Sequence, residues 1–156
     1  MSSTLFVDSI EPNLSSGVHI AGHVLQVVQT TGMSVISTTS TSQVSTGFSV
    51  SITPKSSSSK IYVTFNGRLY MNLAAREYGL SILRGSTSIV YSWTLYDPTT
   101  ATASRESVVV LDSPATTAQT TYTLYHYVSN SDVTGYINPN SQNDGIYSLT
   151  AWEIAQ

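Results

Sequence analysis

Hydrophobic and polar residues alternate with a period of two along most of this chain. In residues 60–66, Ile61, Val63 and Phe65 point one way while Tyr62, Thr64 and Asn66 point the other, the pattern of an antiparallel strand buried on one face. The same alternation recurs at 24–29, 48–53, 79–84, 88–96, 107–111, 121–129 and 146–154, in segments built from the β-branched and aromatic residues that suit a pleated surface. Turn formers lie between them: 54–59, Gly85-Ser86, Asp97-Pro98, Asp112-Ser113-Pro114 and 138–145. Short strands at this spacing predict an all-β fold, an antiparallel jelly-roll β-sandwich. Only residues 73–78 leave room for a turn of helix. Residues 34–46, a Ser/Thr-rich stretch, read as exposed strand and turn.

The first 22 residues stand apart as a short extended N-terminal arm, ahead of a head domain spanning 23–156. Leu5, Val7 and Ile10 give the arm a brief apolar alternation, broken by Pro12 and Ser15-Ser16-Gly17. Strands this short are not stable alone, so the arm is expected to dock on the body, on other copies or on another protein.

Composition narrows the function classes. Only 10% of the 156 residues are charged and the formal net charge is −3, against about 25% charged in an average domain. Solubility rests instead on 27 Ser and 21 Thr. Uncharged, hydroxyl-rich strands leave their edges without charged gatekeepers, which favours oligomerisation as the means of covering them. Six Lys and Arg in all are too few for a nucleic-acid footprint. The absence of cysteine removes thiol catalysis, disulfides and thiolate metal sites. Apolar runs such as 108–111 fall far short of the roughly 20 residues that span a bilayer, so no membrane insertion is expected. The N-terminus lacks the basic and apolar regions of a secretory signal.

No constellation points to catalysis. With so many serines, proximity to one of the three histidines singles out no triad, and there is no G-x-S-x-G turn. His19 and His23 flank Ala21-Gly22 in a strand-and-turn setting, where ordinary turn or strand histidines are expected rather than metal ligands. His126, on the same strand face as Tyr122, Leu124 and Val128, is expected to be a hydrogen-bonded histidine inside a core or interface. The stretch from Asn140 to Gly145 faintly resembles a calcium loop, but its twelfth position is Ala151, where a bidentate Glu belongs. Nothing in the spacing of Glu77, Glu106 and Glu153 brings two of them together for glycoside hydrolysis. Solvated or ion-paired carboxylates are expected there. The chain reads as a non-enzyme that needs no cofactor.

Aromatic residues are the positive feature. Ten Tyr and two Trp against three Phe supply rings with a polar handle, suited to half-buried surfaces. Tyr122, Tyr125 and Tyr127 place rings on both faces of one strand, which predicts burial by the sandwich on one side and by an oligomer interface on the other. Tyr91, Trp93 and Tyr96 form a second cluster, the candidate ligand-facing aromatics of a carbohydrate-binding module.

In order and spacing, several segments resemble bacteriophage virion structural proteins of the marine and cyanophage type. They are L-x-V-D-x-I-x-P at 5–12, GHVLQVVQ at 22–29, S-x-x-I-T-P-x-S-S-S-S-K-I at 49–61, ILRGSTSI at 82–89, VLDSPATTAQTTYTL at 110–124 and LTAWEI at 149–154. Such proteins are tail-fibre or knob proteins with a tumour-necrosis-factor-like jelly-roll head. The resemblance implies a homotrimer whose threefold axis is lined by residues 121–129. It implies an arm that docks on other virion proteins, and a head exposed on the particle that meets a host surface glycan or protein. A full tail fibre carries a long stem, so a short accessory fibre, a knob or a capsid-decorating protein is expected here.

Overall fold

The computed structural model describes residues 20–140 and 145–156. The predicted arm, with Leu5, Val7 and Ile10, lies outside them apart from its last three residues, as do His19 and most of the loop resembling a calcium site.

Ten strands follow in order: β1 (Val24–Gly32), β2 (Ile36–Thr38), β3 (Val44–Ile52), β4 (Lys60–Met71), β5 (Arg76–Arg84), β6 (Thr87–Asp97), β7 (Thr102–Asp112), β8 (Thr120–Val128), β9 (Gly135–Ile137) and β10 (Tyr147–Ile154). The described residues contain no helix. One sheet runs β1-β10-β4, with β7 on the far edge of β4. Along β4, β10 pairs as far as Ser148 opposite Asn66 and β9 resumes with Ile137 opposite Leu69. β2 extends β1 in the same way by pairing with β9. Six strands therefore fill four columns. The second sheet is β3-β8-β5-β6, antiparallel throughout.

From column to column the chain crosses between the sheets, except at the β5–β6 hairpin, where the Gly85-Ser86 loop joins Arg84 to its partner Thr87. This winding of two four-column sheets is a jelly roll. The inward faces meet in one core that includes Val50, Ile52, Ile61, Val63, Phe65, Leu80, Ile82, Leu124, Leu149 and Ala151.

Two details differ from the sequence reading. No helical turn forms at 73–78: Ala75 takes a left-handed conformation (φ 53°) and donates its amide to the Asp97 carbonyl at 2.7 Å, so β5 begins at Arg76. Nor is Glu153 solvated or ion-paired. It is fully buried and accepts hydrogen bonds from Gln26 Nε2 (2.6 Å) and the Lys55 amide (2.7 Å). Burial pushes its carboxyl up, and the surrounding donors outweigh that and hold it below the usual range. It pins the 54–59 turn to the end of the sandwich.

Tyr78 organises the opposite end of the core. Its hydroxyl and His126 Nδ1 share a 2.9 Å hydrogen bond, both groups being buried. Its ring lies against Gly135, where a β-carbon would come within 2.4 Å of the ring. His126 is thus the hydrogen-bonded core histidine its strand pattern suggests, and burial lowers its pKa to about 4.

Two outcomes follow. His126 is neutral in the fold down to about pH 4 but takes a proton near pH 6.5 when unfolded, so its stabilising effect is complete above 6.5 and is lost as pH falls through that window. Urea midpoints of the wild type should drop across it, by up to roughly 3 kcal/mol from this group, and His126→Asn should flatten that part of the slope. Gly135→Ala forces Tyr78 to move and should cost about 1–3 kcal/mol, read as a lower urea midpoint at unchanged m-value.

Candidate functional site

The outward faces of the two sheets carry the surface chemistry. On β3-β8-β5-β6, three register rows cross the central strands: Tyr125–Ser81–Tyr91, Tyr127–Gly79–Trp93, and Ser129–Glu77–Tyr96. The strand period sends these residues outward while Tyr78, Leu80, Leu124 and His126 point into the core. The two aromatic clusters noted in the sequence thus become one surface. β5 contributes only small side chains at its middle, Gly79 and Ser81, and the rings of β8 and β6 flank them.

Tyr127 is the keystone of this cluster. Its ring lies flat over Gly79, where a β-carbon would sit 2.2 Å from it, an aromatic ring filling the space a strand glycine leaves. Its hydroxyl donates to the Ser92 carbonyl at 2.9 Å. Burial pushes that hydroxyl above its ordinary range, so it stays a donor. Tyr91 stacks on it at 4.6 Å between centroids and 15° between planes, and Trp93 meets it edge-on at 4.6 Å and 72°. Tyr91, Trp93 and Tyr96 remain 55%, 41% and 59% exposed.

This arrangement revises the oligomer-interface assignment. Tyr122 is fully buried on the core side, where its hydroxyl donates to Asp112 at 2.8 Å. Tyr127 is fully buried too, and what covers it is the chain's own Tyr91 and Trp93 rather than a neighbour. Of the three tyrosines, Tyr125 alone keeps part of its ring at the surface. Both faces of β8 do bury rings, but one protomer accomplishes this.

On the other sheet, Val27, Trp152, Tyr62 and Leu111 stand side by side in a single register row across β1, β10, β4 and β7. Val27 and Leu111 are exposed, and the Tyr62 and Trp152 rings pack 5.5 Å apart. The next rows are Gln29–Thr150–Thr64–Val109 and Thr31–Ser148–Asn66–Ser107. No charge occurs in these three rows; Lys60 lies at one end of them and Arg68 opposite Arg105 at the other. Sequence reasoning did not single out this face. The signal available was the exposed half of the alternation in 24–29, 60–66, 107–111 and 146–154, which lines up only when four strands are set in register.

Glu77, Glu106 and Glu153 fall on three different strands, β5, β7 and β10. Among the described residues no group of three His, Cys, Asp or Glu is placed to hold a metal ion.

No protein-family model and no curated protein matches the chain. Among solved structures it is similar to the VP2 protein of infectious bursal disease virus. In a D431N mutant derived as T=1 particles the TM-score is 0.47 at 12% identity, covering 97% of this chain and 41% of that one. For a VP2 subviral particle the TM-score is 0.42 at 12% identity, covering 97% and 42%. Dimeric latent PorU from Porphyromonas gingivalis gives 0.40 at 10% identity, covering 91% and 14%. The chain spans less than half the length of each.

Proposed function

We propose that this chain is a non-enzymatic virion structural protein: a homotrimeric jelly-roll knob, residues 23–156, mounted on other virion proteins by an N-terminal arm of residues 1–22. It projects from the particle and meets the host surface. The resemblance of its ordered segments to phage virion proteins suggests the setting, and the observation that carries the assembly is the uncharged row Val27–Trp152–Tyr62–Leu111. Copies of a chain with net charge −3 repel one another, and a face without charge is where they approach at least cost. Closed threefold packing of this face would cover the row and protect adjoining strand edges.

Geometry at the end of the same sheet supports the placement of the arm. The Gly22 amide donates to the Ala155 carbonyl at 2.8 Å and the Ala155 amide to the His23 carbonyl at 2.9 Å. Residue 22 therefore sits beside the ends of β1 and β10, so the segments preceding it in three copies packed on this face would start from the same sheet end. Leu5, Val7 and Ile10 are the arm's docking side chains. A capsid-decorating protein is the same assembly in a different place on the particle.

Light scattering tests this reading. The wild type should have three chain masses, unchanged on dilution. Val27→Asp and Leu111→Asp, each replacing an exposed side chain, should leave the fold intact and give one chain mass, because fully burying such a residue is worth about 1.5–3 kcal/mol. A monomeric wild type would overturn the trimer. Aspartate variants that stay trimeric would move the interface elsewhere.

A further inference from the structure

We infer that the ring cluster on the β3-β8-β5-β6 face is a binding site for an uncharged glycan, with a pyranose ring stacked on the exposed face of Tyr91 and flanked by Trp93, which stands at 83° to Tyr91, and by Tyr96 in the next row. The site goes beyond the assembly reading and stands on its own geometry. It lies on the opposite sheet from the proposed interface and stays open whether the protein is a monomer or a trimer.

Two observations converge on that ligand. The first is preorganisation. Tyr127 is fixed by its bond to Ser92 and by Gly79 beneath it, and Tyr91 is stacked on Tyr127 with its ring more than half exposed. Trp93 is braced against the same ring. A platform already rigid loses little entropy on binding. Rings of this kind offer a flat apolar surface to the C–H face of a sugar, while their hydroxyl and indole N–H remain available to its rim.

The second observation is charge. Among the nine residues of the three rows, Glu77 is the only Asp, Glu, Lys, Arg or His. A carboxylate accepts hydrogen bonds from sugar hydroxyls and repels uronates and sialates, a bias the net charge of −3 reinforces. Toward β3 the face continues as hydroxyls, with Ser51 and Thr121 bonded to each other at 2.8 Å. A neutral polyol is the complement of such a surface.

The test is titration of the whole chain with cellohexaose and β-1,4-galactohexaose, and with sialyllactose as the anionic counterpart, followed by Trp93 fluorescence and saturation-transfer NMR. The neutral oligosaccharides should bind and sialyllactose should not. Trp93→Ala and Tyr96→Ala should each weaken binding about tenfold, with far-ultraviolet circular dichroism and solution mass unchanged. Trp152→Phe on the opposite sheet should leave sugar binding as it is and confirms that the fluorescence change belongs to Trp93. Folded wild-type protein that binds neither neutral sugar at millimolar concentration overturns the proposal, as does preference for sialyllactose or undiminished binding in the Trp93 and Tyr96 variants. A monomer that binds the neutral sugars would refute the trimer alone, and a trimer that binds none would refute the glycan site alone.

Discussion

Backbone pairing along β4 is the constraint on which the rest of the molecule depends. Its twelve residues are bonded on one edge to β7 over almost their whole length and on the other edge to β10 and then β9. A strand tied on both edges cannot slip by one residue without turning Ile61, Val63 and Phe65 out of the core. Its register therefore sets that of β7 and β10, and through β10 that of β1. The outer row Val27–Trp152–Tyr62–Leu111 is the reverse side of the same alignment, since the pairing that sets the inner residues opposite one another also fixes which outer ones meet.

The two outer faces solve the shortage of charge differently. Where the first sheet faces outward, apolar side chains are spread in one row with hydroxyls and amides beyond it, and Gln29 is bonded to Thr150 at 2.9 Å. The second sheet gathers its rings over the small residues of β5, so that Tyr127 is covered by Tyr91 and Trp93, with Tyr96 in the next row. A spread row suits contact with a broad flat surface such as another copy. A compact braced cluster suits a small rigid ligand. Inside, the carboxylate buried at one end, Glu153, accepts from Gln26 and from a backbone amide, and the histidine at the other, His126, is kept neutral.

The eight main strands were legible because period-two alternation is a local property, written in residues that touch the same face of one strand. β2 and β9 were not. Each has three residues, too few for a period to show, and each exists because a longer neighbour offers it an edge. The helical turn expected at 73–78 failed for a related reason: the Asp97 carbonyl, 22 positions away in the chain, captures the Ala75 amide. His126 was readable as a core residue from its strand face, whereas its partner Tyr78 was not, because the pairing of β5 with β8 is not encoded in either segment alone.

The sequence by itself determined that this is an all-β chain of short antiparallel strands, poor in charge and rich in hydroxyls and aromatic rings. Tertiary structure decided which rings are surface. Tyr122, Tyr125 and Tyr127 share one strand and one residue type, yet one is core, one is half-exposed and one is roofed by residues of β6, two columns away. Exposure depends on what lies across the sheet and above it, and those neighbours are chosen by long-range strand pairing.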